Sequence, residues 1–212
     1  MKHPINKFLT ELGTHRPANL ILLSIGNPSP KYDATRHSAG HVTLDHVAQY
    51  LGGLADHARH GDSAIDMAPL LEHPNIYLAK SQEYMNLSGK AVRAAVKRFP
   101  NNDYRLVVVH DDIDTQLGEC KFKLESRQVG GHGGLKDIVR LYPDAFARMR
   151  IGIGSPPSRD LGVVASYVLK KMSGKEREVF ERNSLPAAFA MAHNLAEVMD
   201  RNRTRRNSKT KS

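Results

Sequence analysis

Asn27 follows the apolar segment Leu20–Ile25, Asp111 follows Leu106–Val109, and His132 lies in a glycine-rich loop after Cys120–Leu124. Thr35-Arg36-His37 and Tyr84-Met85-Asn86 add another histidine and a second asparagine. A histidine titrates near neutrality and can take a proton from water. An aspartate on its other ring nitrogen orients it and raises its basicity. Such a base contributes about 10² to 10⁴ in rate. Asparagine amides would then bind a carbonyl oxygen and a substrate N–H. Taken singly these signals are weak, since a histidine is more often a packing or surface residue than a catalyst. A second chemistry is open at His110, Asp111, Asp112 and Asp114, whose oxygens suit Mg²⁺ or Mn²⁺ in a phosphoesterase. No other metal set accompanies them, so neither metal nor cofactor is expected, and Asp112 and Asp114 read more simply as a polar turn. The glycines at 130, 131, 133 and 134 do not form a P-loop, because no Gly-Lys-Ser/Thr follows.

These residues need strands to carry them. Leu20–Ile25, Ala64–Leu70, Ile76–Ala79, Leu106–Val109, Cys120–Leu124 and Met149–Ile153 read as strands from their apolar or alternating patterns. Helical spacing joins Leu44, Val47, Ala48 and Leu51, then Val92, Ala95, Val96 and Phe99, then Leu135, Ile138 and Val139. Ser173 and Glu176 have capping-box spacing, opening a helical region to about Met199 that Pro186 should kink or break. Strands alternating with helices predict a single three-layer α/β domain, a twisted mixed sheet flanked by helices. Ligand sites in open α/β sheets gather at the carboxyl ends of strands, where Asn27 and Asp111 fall.

At 212 residues one domain is expected, large enough to fold without staples; the lone Cys120 excludes an internal disulfide framework. No apolar run approaches the roughly 20 residues of a membrane span, so no membrane partner is expected. Residues 1–18 read as an N-terminal extension, 19–200 as the domain and 201–212 as a disordered tail. Six of the nine net positive charges lie in that tail, on Arg201, Arg203, Arg205, Arg206, Lys209 and Lys211. A basic tail attracts phosphates through counterion release, so its deletion should weaken RNA affinity and flatten the salt dependence. The first 18 residues lack a secretory h-region and are poor in arginine and serine. The expected compartment is therefore the cytoplasm, with a mitochondrial presequence as the alternative.

Six motifs appear in one order: Leu23-Ser24-Ile25-Gly26-Asn27-Pro28, Tyr32 to Gly40, Tyr84-Met85-Asn86-Leu87-Ser88-Gly89, His110 to Asp114, Gly131 to Ile138, and Arg148 to Gly154. In this the chain resembles bacterial-type peptidyl-tRNA hydrolases over about residues 19 to 200. The resemblance implies a monomer that needs no metal and cleaves the ester between a peptide and the 3′-terminal ribose of tRNA. It implies His37 as general base and Asp111 as its partner, with Asn27, Tyr32, Met85, Asn86 and His132 lining the substrate cleft. Lys121, Lys123 and Arg150 match basic positions on the tRNA phosphate side. An RNA-binding protein of the same fold with reduced or lost hydrolase activity is the alternative the resemblance leaves open. Three departures stand out: Ser38 where the family has asparagine, Ser81-Gln82-Glu83 in place of Pro-x-Thr, and Gly133 where asparagine follows the second histidine. The last removes an amide expected to bind the peptide or water, at about 0.5–1.5 kcal/mol. On that reasoning Gly133→Asn should hold or improve the rate.

Overall fold

Leu20 to Leu23 sit in the middle of a six-stranded sheet, buried on both faces, which is why they form an unbroken apolar run rather than an alternating one. The computed structural model describes residues 4–54, 64–124, 127–142 and 144–209. Its strands are β1 (Asn19–Ser24), β2 (Ile65–Pro69), β3 (Ile76–Ser81), β4 (Tyr104–Asp112), β5 (Cys120–Lys123) and β6 (Ala147–Gly152), in the order β2-β3-β1-β4-β6-β5. β1, β3, β4 and β6 are parallel, and β2 and β5 close the edges antiparallel. The mixed sheet of the expected three-layer domain is present.

Strand alternation divides the core in two. Leu20, Leu22, Val107 and Val109 face α1 (Pro4–His15), α2 (Ala39–Tyr50) and α7 (Leu185–Lys209). Ile21, Leu23, Leu106 and Val108 face α3 (Ser88–Val96) and α4 (Gly133–Leu141). Two shorter helices, α5 (Leu161–Leu169) and α6 (Gly174–Val179), link β6 to α7.

Several expectations are corrected. β4 continues through His110, Asp111 and Asp112, because β6 supplies ladder partners as far as Asp112↔Gly152; Asp111 is a strand residue, not a loop residue. Ser173 and Glu176 do form a capping box on α6. The kink expected at Pro186 is a π turn over Phe180–Ser184, closed by the Leu185 N–H on the Phe180 carbonyl. The widened turn places the proline second in α7, where a missing N–H costs least.

Of the residues expected as an extension and a disordered tail, those in α1 and those of the tail up to Lys209 are helical. Ile5, Phe8 and Leu12 on one face of α1 are buried in the main core, a spacing legible in the sequence. α7 runs to Lys209 because Asn202 is buried and donates to the Leu12 carbonyl at 2.9 Å, while Arg206 meets Asp103 at 3.1 Å. Glu197 and Asp200 also pair with Arg201 and Arg203 along the helix, so the run is not one of isolated like charges. Neither residue 19 nor residue 200 therefore marks a break in packing. Among the described residues, no helix is long and apolar enough to cross a membrane.

Candidate active site

β1 and β4 are parallel neighbours, so their carboxyl ends open side by side. The first turn of α2 comes down on those ends at Gly40. A Cβ there would stand 2.6 Å from the Val109 carbonyl oxygen and 2.9 Å from that of Ile25. Only glycine permits this approach, and it brings the preceding 3₁₀ turn, Arg36–Ser38, over β4. Arg36 anchors the turn from behind. It is buried, donates to the carbonyls of Tyr167, Lys170 and Lys171, pairs with Glu176 at 2.6 Å, and lies over the Tyr167 ring.

His37 thus meets Asp111, its Nδ1 2.9 Å from each carboxylate oxygen. His132 reaches the same carboxylate, Nε2 to Oδ1 at 3.1 Å. A carboxylate only accepts, so both imidazoles donate to it. That fixes the tautomers: His37 keeps Nε2 free of a proton, and His132 keeps Nδ1 free. His132 uses that Nδ1 as the N-cap of α4, accepting the Leu135 N–H at 3.4 Å.

The electrostatics follow from burial. Asp111 is 1% exposed, which by itself would raise its pKa; the charges and hydrogen bonds of His37 and His132 overcome that and hold it well below the usual carboxylate range. Burial would lower the His37 pKa, but the Asp111 charge and hydrogen bond outweigh it, so His37 is a stronger base than a free imidazole. Next along β4, His110 points to the opposite face and is also buried. Its Nδ1–H donates to the Asp111 carbonyl at 2.7 Å, and burial, then His132, hold it neutral.

A cleft of about 890 Å³ opens over this group, and Asn27, Tyr32, Met85, Asn86 and His132 line it with His37 and Asp111. Asn27 accepts the Met85 N–H at 2.9 Å, fastening the turn that carries Asn86 to the end of β1. Tyr32 meets Tyr84 edge-on, and its carbonyl accepts from Ser38 at 2.9 Å, so the serine that departs from the family pattern braces the Tyr32 loop. Lys123 and Arg150 also line the cleft. Lys121 does not; it lies on the same face of β5 but pairs with Glu119 at 2.6 Å. The phosphoesterase set does not converge: Asp112 pairs with Arg150 and Asp114 with Arg159. Among the described residues, the group able to hold a metal is instead His37, Asp111 and His132, whose ligand atoms lie within 4.8 Å of one another.

Sequence reasoning passed over two parts of the cleft. Arg148 is buried beside Lys123 and Arg150, and the period of two along Arg148-Met149-Arg150 was the signal that both arginines share a face. α5 forms an apolar wall through Leu161, Val164 and Val168; its run lacks a polar stripe and so carries no helical periodicity.

A family model described as peptidyl-tRNA hydrolase matches residues 21–212. The peptidyl-tRNA hydrolase of Carboxydothermus hydrogenoformans is 38% identical over 178 residues, covering 84% of this chain and 92% of its own. That of Alkaliphilus metalliredigens is 32% identical, covering 85% and 97%. Among solved structures, the Acinetobacter baumannii peptidyl-tRNA hydrolase superposes with a TM-score of 0.67 at 28% identity, covering 86% of this chain and 87% of that one. The order of motifs, the sheet that presents them and these likenesses agree, and the chain belongs to the peptidyl-tRNA hydrolase family.

Proposed function

We propose that this protein hydrolyses the ester bond of peptidyl-tRNA with His37 as the general base and Asp111 as the group that orients it. The observation that carries the reading is the contact of His37 Nδ1 with both Asp111 oxygens. Asp111 accepts a hydrogen bond from Nδ1–H, so the Nε2 lone pair on the far side of the ring is left to remove a proton from water. The resulting hydroxide attacks the ester carbonyl carbon. The tetrahedral intermediate collapses by breaking the bond to the 3′ oxygen of the terminal ribose, and the His37 imidazolium returns its proton to that leaving group. Asp111 stabilises the imidazolium between the two transfers. Asn86 donates to the carbonyl oxygen as it becomes an oxyanion, Asn27 sits beside the histidine and the RNA end, and Tyr32, Met85 and His132 shape the peptide side.

Lys123 and Arg150, with Lys121 on the same face, meet the phosphates of the tRNA. The working unit in this reading is a monomer. The Cys120 thiol, its pKa pushed up to about 12 by burial, has no nucleophilic part in this reading, whose site of action is the cytoplasm.

The test is turnover of peptidyl-tRNA by the parent protein and by His37→Ala. The parent should exceed the variant by about 10² to 10⁴ in kcat/KM. If both bind tRNA and neither turns over faster than the other, the chain is an RNA-binding member of its family and the hydrolase reading is wrong.

A further inference from the structure

Gly133 is the first residue of α4, at the floor of the cleft beside Asn86. Three reasons for a glycine there can be separated. It is not needed for backbone conformation, since Gly133 is absent from the positive-φ residues. Helix stability does not favour it either; within a helix glycine is about 1 kcal/mol worse than alanine. The remaining reason is space. A Cβ at 133 would stand 2.6 Å from Asn86 Oδ1 and 3.8 Å from Asn86 Cγ, and would meet no other atom within 4 Å. The neighbouring Gly134 differs, for a Cβ there would strike Met85 Sδ, the Met85 carbonyl and Ser88 Oγ. Gly134 thus admits the whole Met85–Leu87 turn, while Gly133 admits one carboxamide.

We infer that Gly133 is a positioning residue for Asn86: its bare Cα lets the Asn86 amide lie against the first turn of α4, and this sets where the amide meets the substrate. The N-terminus of a helix carries partial positive charge, which favours the amide oxygen on that side. The amide nitrogen, on the opposite side of the same planar group, is then turned away from α4 as a donor. A side chain at 133 takes that volume, and ordinary contact at 3.4 Å requires the Asn86 oxygen to retreat by about 0.8 Å from its 2.6 Å position. Gly133→Asn, which sequence reasoning expects to hold or improve the rate, therefore carries the same penalty as any other Cβ. The missing amide at 133 is not a simple loss; the Asn86 amide fills its place.

This inference rests on the hydrolase reading, and a double-mutant cycle separates the two. Parent, Gly133→Ala, Asn86→Ala and the double variant are compared for kcat, KM and thermal midpoint on peptidyl-tRNA. Displacing a reacting group by 1 Å costs up to about 10²-fold, so Gly133→Ala should lower kcat by about 10- to 100-fold. Its thermal midpoint should hold or rise, since alanine is the better helix residue. Stability and activity moving in opposite directions is an outcome that loss of packing does not give. In the Asn86→Ala background the same change should alter kcat by less than about 3-fold, because no carboxamide is left to displace. Equal losses from Gly133→Ala in both backgrounds, or a loss under about 3-fold in the parent, would overturn the coupling while leaving the hydrolase reading intact. A parent no faster than His37→Ala would overturn both.

Discussion

Replacing Asp111 with asparagine keeps the shape of the site and removes its charge, which isolates what the carboxylate does. In the parent both Asp111 oxygens lie 2.9 Å from His37 Nδ1, and Oδ1 also accepts from His132 at 3.1 Å. An asparagine has one accepting oxygen. If that oxygen stays with His132, the NH₂ group faces His37 Nδ1 and donates to it, forcing the His37 proton onto Nε2. The nitrogen that must take a proton from water is then already protonated. The expected loss is the contribution of a general base, about 10² to 10⁴ in kcat/KM, equivalent to about 3–5 kcal/mol at the transition state.

The pH profile gives the second readout. In the parent, Asp111 holds the His37 pKa above 6.5, so the rate rises through a value on the alkaline side of an ordinary histidine. Without the carboxylate only the burial effect remains, and it lowers the pKa, so the acid limb of the variant should move below 6.5. Stability shifts in the matching sense. Protonated His37 stabilises the parent fold fully below pH 6.5, and that contribution is lost as pH rises through the raised native value. Steady-state turnover from pH 5 to 9, about the span of histidine titration, tests both points. A variant within about 3-fold of the parent, or one whose acid limb stays put, would show that Asp111 neither sets the tautomer nor charges the base.

The remaining predictions concern cations. Turnover should be unaffected by EDTA, whereas added Zn²⁺ should inhibit and EDTA should reverse it, because two imidazoles and a carboxylate within 4.8 Å are a zinc-type ligand set. Inhibition should weaken at lower pH, where protons compete, and should weaken in His132→Ala; equal zinc sensitivity in that variant would remove His132 from the set. In the C-terminal segment, deletion would also remove Asn202 and Arg206 from their places against α1 and Asp103, so substitution is the cleaner test. Replacing Arg201, Arg203 and Arg205 with glutamine should change the salt slope of tRNA binding by less than one phosphate contact, about 0.7–0.9; a fall of twice that would restore the segment as an RNA contact.

The fold was legible wherever one pattern dominated. Leu106–Val109 could only be a buried strand, and Val92, Ala95 and Phe99 repeat at helical spacing on the core side of the sheet. Errors arose where charge or ladder pairing overrode composition. His110, Asp111 and Asp112 look like a loop by polarity, yet β6 pairs them to the last residue. The C-terminal cations look solvated and disordered, yet Asn202 buries its amide against α1, and carboxylates one turn back along α7 meet two of the arginines. A residue count by charge cannot see either, because both depend on partners more than 30 positions away or on a helix face.

The same limit explains what the site reading caught and what it missed. His37 and Asp111 are 74 residues apart, and it was the resemblance of their motifs, not any spacing, that suggested they meet. The sharing of one carboxylate by two histidines was not legible, since it needs α4 to present His132 at its N-cap while Gly40 lets α2 settle on β1 and β4. The C-terminal segment shows the reverse case, a charge signal plain in sequence whose arginines at 201, 203 and 206 the structure pairs with carboxylates. Arg206 lies by Asp103, at the entry end of β4, and the Asp111 carboxylate is at its exit, eight residues on from Asp103. At about 3.3 Å per residue that places some 26 Å of strand between them. Exposed charges so far apart are screened from each other at physiological salt, where fields decay over about 8 Å. Lys123, Arg148 and Arg150 line the cleft itself, so under the proposed function they are the charges best placed to guide an RNA terminus to His37.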